Sequence, residues 1–171
     1  MPNTMTERRD LLLAPLLAAL PMAFAGAAFG SVLDPTETIV RLPAQIPWKP
    51  RPTWPRDSAI SAALFGDRNA SGMYYELIQW FPGYMSAPHT YVTDRLCVVV
   101  SGTWWVNSGA DFDPKHCIPV PAGSFVHRVA HTPHYDGVMP EGLEPAVIAI
   151  CGMGPVHMNY LEKGKPGWRR S

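Results

Sequence analysis

The histidines are the residues of this sequence whose type and spacing point most directly to chemistry. All six lie between His89 and His157, and three of them fall within eight residues. Alternate side chains of a strand face the same side, so His89 shares a face with Tyr91, and His134 shares a face with Asp136. Strands that close into a barrel would bring these groups together in a dry interior. Neutral imidazoles in such a place suit a divalent transition metal.

The composition favours short strands over long helices. The 171 residues include 19 prolines and 14 glycines, which divide the chain into pieces too short for a helical bundle. The length fits one domain, and 47% hydrophobic against 16% charged residues argues against disorder. Apolar or aromatic runs bounded by turns predict strands over residues 59–65, 73–81, 96–100, 103–107, 117–120, 124–130, 132–138 and 146–151. The predicted fold class is all-β, a single antiparallel β-barrel or jelly roll.

The spacing of glycines and histidines resembles the two motifs of the cupin superfamily. The first motif is read as Gly83, His89-Thr90-Tyr91, Arg95 and Gly102, and the second as Gly123, Val129, His131 and His134. The stretches 94–105 and 121–125 look like those of small cupins of the anti-sigma-factor-like (ChrR-type) group. The resemblance covers residues 59–155 and implies a cupin-type barrel, the double-stranded jelly roll.

Two positions depart from the cupin pattern. Tyr91 replaces the second histidine of the first motif, and Arg95 replaces its glutamate. Only His89 and His134 therefore carry over as metal ligands. An arginine does not ligate a metal, and its charge repels a cation and attracts an anionic substrate.

Two interpretations of the site follow. In one, His89 and His134 hold a metal with a third group, either His127 or Tyr91, and the cofactor is one divalent transition metal: Fe, Cu, Zn, Mn or Ni. In the other, the metal has been lost and the same side chains contact an organic ligand. The alternation of the strand that carries His127 leaves open whether that side chain faces inward.

The functional hypothesis is a metal-dependent enzyme acting on a small, anionic molecule, with oxygenase-, isomerase- or hydrolase-like chemistry. Tyr91 would be the acid–base group or hydrogen-bond donor, and Arg95 would orient the substrate. Arg95 could instead form a structural ion pair with Asp94 or Asp136. The alternative function is a non-catalytic module that binds or senses a small ligand or a metal.

The N-terminus has the layout of a bacterial export signal. Arg8-Arg9 precedes an apolar stretch over residues 11–28, and Ala23-Phe24-Ala25 supplies a small-residue cleavage site. The arginine pair predicts a twin-arginine signal over residues 1–25, with general secretion as the alternative. This signal predicts that the mature protein is located in the periplasm. An uncleaved anchor over residues 11–33 is the other interpretation.

The remainder divides into three parts: a proline-rich extended arm over residues 26–58 anchored by Trp48 and Trp54, a barrel over residues 59–160, and a basic, flexible tail over residues 161–171. A disordered linker is the alternative for the arm. Cys97 and Cys151 lie in apolar runs and are expected to be buried thiols. Zero net charge argues against nucleic acid and lipid partners, so the expected partner is a small molecule. The resemblance to cupins also implies that the protein forms a homodimer.

Overall fold

The computed structural model describes residue 36 and residues 38–171. The predicted export signal over residues 1–25 lies outside this part of the chain. Contacts divide the chain into residues 1–40 and residues 41–171, and every element below belongs to the second unit. Within the described residues, no helix has the length and apolar character needed to cross a membrane.

Thirteen strands and two short 3-10 helices make up the described chain. The strands are β1 (Lys49–Pro50), β2 (Ala59–Phe65), β3 (Gly72–Trp80), β4 (Tyr84–Ser86), β5 (His89–Tyr91), β6 (Arg95–Ser101), β7 (Thr103–Ser108), β8 (Ile118–Pro121), β9 (Phe125–Arg128), β10 (His134–Val138), β11 (Ala146–Gly154), β12 (Met158–Tyr160) and β13 (Trp168–Arg170). The 3-10 helices are Pro43–Gln45 and Pro114–His116. The eight predicted strands are all present, with ends shifted by three residues or fewer. Prediction missed β1, β4, β12 and β13, which have only two or three residues each.

The strands form two antiparallel sheets. The first has the order β1-β2-β3-β11-β6-β9, and the second has the order β12-β5-β10-β4-β13, with β7 pairing to β10 and β8. A tight turn at Gly102 joins β6 to β7. Gly102 has a φ of 69° there, and a Cβ would lie 2.4 Å from the carbonyl oxygen of Pro145. The all-β, jelly-roll prediction is therefore confirmed.

The hydrophobic core lies between the inner faces of the sheets. Tyr74, Ile78 and Val99 from the first sheet and Trp104 and Val138 from the second belong to one buried cluster. The alternation of β3 places Tyr74, Ile78 and Trp80 inward, while Met73 and Tyr75 are exposed on its other face.

One strand differs from its prediction. The near-continuous apolar run over residues 96–100 is typical of a strand enclosed in a barrel, but only Cys97 and Val99 of the apolar residues of β6 are buried. Leu96, Val98 and Val100 are 47%, 43% and 54% exposed on the outer face of the first sheet. The apolar run therefore reflects an uncovered apolar face rather than a strand enclosed on both sides.

The arm and the tail are both docked on the barrel. Within the described part of the arm, β1 pairs with the edge strand β2, and Trp54 packs against the core. The tail was expected to be flexible, but β13 pairs with β4 and Trp168 packs against the core 5.9 Å from the ring of Tyr84. Backbone pairing and a half-buried indole outweigh the basic, glycine-containing composition that suggested mobility.

We expect Trp168→Ala to lower the free energy of unfolding by about 2 kcal/mol, because it removes a large, half-buried side chain from the core. Urea denaturation measures this change. Leu143, which is fully exposed, gives the control Leu143→Ala, with a change below about 0.5 kcal/mol. Equal, small changes in both variants would mean that the tail is not docked.

Candidate functional site

Strand register brings the two predicted histidines together. His134 of β10 lies directly opposite His89 of β5. The two ring centroids are 4.4 Å apart, and the Tyr91 ring lies 4.9 Å from His89 and 5.5 Å from His134. His89, Tyr91, His134 and Asp136 all line one cavity, so the predicted alternation is correct.

The backbone fixes the tautomer of both imidazoles. Nδ1 of His89 lies 2.7 Å from the carbonyl oxygen of Ala87, and Nδ1 of His134 lies 2.9 Å from that of Thr132. A carbonyl oxygen only accepts hydrogen bonds, so each Nδ1 carries the proton and donates it. Each Nε2 is left with a lone pair, free to accept a proton or a hydrogen bond.

Burial keeps both imidazoles neutral. The pKa of His89 is lowered to about 3, mainly by burial and next by the neighbouring His134. Burial likewise lowers the pKa of His134 to about 4, with Arg128 as the next largest cause. At neutral pH the site therefore contains two uncharged bases.

The cavity around the histidines is small and is lined by several cationic groups. Its volume is about 20 Å³, enough for roughly one water molecule or one oxygen-sized group. Its charged lining consists of three guanidinium groups and one carboxylate, from Arg51, Arg95, Arg128 and Asp136. The arm also contributes Trp54, whose ring lies 5.2 Å from Trp80 and 4.4 Å from the Arg51 guanidinium carbon.

Arg95 is held by a buried network. Its Nε donates to the Tyr74 hydroxyl at 3.1 Å, and its Nη2 pairs with Glu76 at 3.1 Å. Its guanidinium carbon lies 4.2 Å from the centroid of the Tyr91 ring. The predicted alternatives, Asp94 and Asp136, are not its partners.

The backbone makes room for this network at Gly152. Gly152 pairs with Tyr74 on one side and with Arg95 on the other. A Cβ at Gly152 would lie 2.8 Å from the Tyr74 hydroxyl. The missing side chain therefore allows the tyrosine to reach across β11 to the guanidinium.

Arg128 forms the second buried network. Its Nη2 pairs with Asp136 at 3.3 Å, and its Nη1 donates to the backbone oxygen of Asn107 at 3.1 Å. Its guanidinium carbon lies 5.2 Å from the Trp104 ring. Arg128 Nε and Trp104 Nε1 are buried and have no hydrogen-bond acceptor among the described residues.

His127 does not join the other two histidines. It is exposed on β9, where its Nε2 lies 2.9 Å from an oxygen of Asp94. The described residues contain no group of three or more His, Cys, Asp or Glu side chains arranged for a metal ion. The buried charges of Arg95 and Arg128 also lower the pKa values of the site histidines, and the same repulsion raises the energy of a bound cation. With His127 facing solvent, Tyr91 is the third ligand that remains for a metal, and its ring lies against Arg95, 4.2 Å from the guanidinium carbon.

The other three histidines and the cysteine thiols take no part in the proton chemistry of the cavity. His116, His131 and His157 are exposed. Cys97 lines the cavity, but burial raises the pKa of its thiol to about 11, so it is protonated at neutral pH. All three cysteines are free thiols; Cys97 is buried as expected, and Cys151 is half-buried.

Sequence reasoning missed Glu76 and Arg128. Both could have been found from alternation, because Glu76 lies between Tyr74 and Ile78 on the buried face of β3, and Arg128 shares a face of β9 with Val126. A charged residue at an inward position of an apolar strand signals a buried ion pair.

Solved structures with the same architecture come from several bacteria. The polyketide cyclase RemF from Streptomyces resistomycificus matches with a TM-score of 0.59 and 10% identity, covering 76% of this chain and 90% of that chain. An RmlC-like cupin from Ralstonia eutropha gives a TM-score of 0.57 and 20% identity, covering 74% and 73%. A cupin-2 domain protein from Rhodospirillum rubrum gives 0.54 and 12%, covering 74% and 81%. The chain has the cupin fold.

These likenesses establish the fold alone, because all three identities are low. The sequence matches no protein-family model and no curated protein. The anti-sigma-factor-like subtype stays a prediction.

The lowered pKa of His89 makes stability depend on pH. Between the ordinary value near 6.5 and the folded value near 3, the unfolded chain binds a proton that the folded chain does not. This contribution to stability is complete above pH 6.5 and is lost as the pH falls towards 3. Between pH 7 and pH 4 it amounts to on the order of 3 kcal/mol.

We expect His89→Asn to flatten the pH dependence of urea unfolding over this range, since the amide can donate to Ala87 but does not titrate. His157→Asn, at an exposed position, serves as the control and keeps the wild-type slope. Parallel slopes for all three proteins would contradict a buried, neutral His89.

Proposed function

We propose that this protein is an enzyme that takes a small organic acid into the cupin cavity and moves a proton on it. His134 is the base, Tyr91 is the donor, and the guanidinium groups stabilise the negative charge. The observation that carries the proposal is the pair of Nδ1–carbonyl hydrogen bonds, which leave two unprotonated Nε2 atoms. These atoms lie in a cavity whose lining includes the guanidinium groups of Arg51, Arg95 and Arg128, here called the cationic wall.

The charge of the cavity favours an anion as the substrate. Three guanidinium groups and one carboxylate line it, and the Glu76 carboxylate behind Arg95 is itself shared with Arg68. An anion is therefore drawn to the site and a cation is repelled. A bound anion also opposes the effect of Arg128 on His134 and raises the basicity of that imidazole.

His134 is a better base than His89, because burial lowers its pKa less. In the proposed step, Nε2 of His134 takes a proton from a carbon next to a carbonyl group. The C–H bond breaks, its electron pair forms an enolate, and the charge on the enolate oxygen is stabilised by Tyr91 and the cationic wall. Return of the proton to another carbon gives an isomer, and return to the same carbon gives exchange with solvent.

A cavity of about 20 Å³ admits only part of such a substrate. The arm contributes Arg51 and Trp54 to the lining. Binding of a molecule with several non-hydrogen atoms therefore requires these two side chains to shift. RemF, a polyketide cyclase by its name, is an example of an enzyme on this fold.

The test is exchange of carbon-bound protons in D₂O, followed by proton NMR on pyruvate, 2-oxobutyrate and levulinate. We expect the wild-type protein to accelerate exchange of at least one acid, also after dialysis against EDTA. His134→Gln and Tyr91→Phe should each reduce the rate about 100-fold or more. His157→Gln, altered at an exposed position, should keep the full rate.

Three outcomes of this experiment would contradict part or all of the proposed function. No acceleration with any of the three acids contradicts the enzymatic proposal, and loss of exchange after EDTA contradicts the metal-independent mechanism. Binding of an acid without exchange would identify the alternative, a non-catalytic binding module.

Export to the periplasm and homodimer formation stay predictions from the sequence.

A further inference from the structure

Two buried N–H groups of the cavity lining donate no hydrogen bond within the described residues. Arg128 is 7% exposed and Trp104 is 3% exposed. Both side chains line the cavity, and neither Arg128 Nε nor Trp104 Nε1 has an acceptor among the described residues. Buried donors are nearly always paired, since an unmade hydrogen bond costs about 1–3 kcal/mol.

The two side chains form one unit on the cavity wall. The Arg128 guanidinium carbon lies 5.2 Å from the centroid of the Trp104 ring. Asp136 and Asn107 already hold the two Nη groups of Arg128. The guanidinium is thus fixed by its outer nitrogens, while its Nε–H remains without a partner.

From this arrangement we propose that Arg128 Nε and Trp104 Nε1 form the subsite that binds the carboxylate group of the substrate. The inference rests on the proposed function, because it names the groups that recognise the acid on which that function acts. A carboxylate oxygen supplies the acceptor that both N–H groups lack. Hydrogen bonds to a charged acceptor are about twice as strong as those between neutral groups.

Arg95 is less suited to this role. Its Nε and Nη2 are already bonded to Tyr74 and Glu76, and its face covers the Tyr91 ring. It positions Tyr91, while Arg128 offers a free donor. The subsite therefore assigns substrate recognition to Arg128, which the sequence motifs do not mark.

The indole N–H resonances of Trp104 and Trp105 in a ¹H–¹⁵N spectrum test the subsite directly. Trp105 Nε1 is also buried without an acceptor among the described residues, but Trp105 does not line the cavity. It is therefore an internal control in the same sample. Trp104→Phe and Trp105→Phe assign the two signals.

The probes are sodium formate and its neutral analogue formamide. We expect formate to shift the Trp104 signal in a saturable manner and to leave the Trp105 signal in place. Formamide should bind at least tenfold more weakly. Trp104→Phe, observed through broadening of the formate signal, should weaken formate binding about tenfold.

Arg128→Gln alone would leave Asp136 unpaired and buried, so the matched variant is Arg128→Gln with Asp136→Asn. This double variant should lose the formate-dependent shift of Trp104. Arg170→Gln, at an exposed position, should retain it.

Three results would overturn the subsite. They are an unchanged Trp104 signal at saturating formate, equal responses to formate and formamide, or equal shifts of Trp104 and Trp105. The first result would mean that a water molecule satisfies these donors. The spectra do not depend on turnover, so formate binding without proton exchange would keep the subsite and reject the proposed reaction.

Discussion

Two buried pairs of guanidinium and carboxylate groups set the properties of this cupin interior. Arg95 pairs with Glu76, and Arg128 pairs with Asp136, all with side chains that are nearly inaccessible to solvent. Removing one member of such a pair typically costs about 3–5 kcal/mol, because the other charge stays buried. The pairs fix the positions of two of the guanidinium groups that line the cavity.

The guanidinium groups of the cationic wall affect the protonation of the two histidines. Burial, assisted by the guanidinium groups, keeps both imidazoles neutral, and the carbonyls of Ala87 and Thr132 determine which nitrogen of each ring is free. With His127 on the outer face, a metal centre of three protein ligands would have to use Tyr91, which lies against Arg95. The same residues instead suit an anion that approaches two neutral bases.

Much of the fold follows from local features of the sequence. Alternation and turn residues predicted the eight longer strands, and the motif spacing led to His89, Tyr91 and His134 sharing one cavity. The partners of Arg95 were not predictable in the same way. Tyr74 and Glu76 lie 21 and 19 residues before it, and the contact depends on how β3, β11 and β6 align.

Residues with ambiguous alternation were the hardest to place. His127 faces solvent because the register of β9 against β6 turns Val126 and Arg128 inward. The tail was misjudged because its composition gave no sign that Trp168 would pack against the core. Long-range pairing decides such positions, and a single sequence does not report it.

The measurement that tests the account most directly is a pH titration of the His89 and His134 rings by long-range ¹H–¹⁵N NMR. The account predicts that both rings are neutral at pH 6, with the proton on Nδ1 and a lone pair on Nε2. Their charging should begin only near pH 4 or below. Protonation of either ring near pH 6.5, or a proton on Nε2 of the neutral rings, would contradict the cationic, desolvated site on which the proposed function depends.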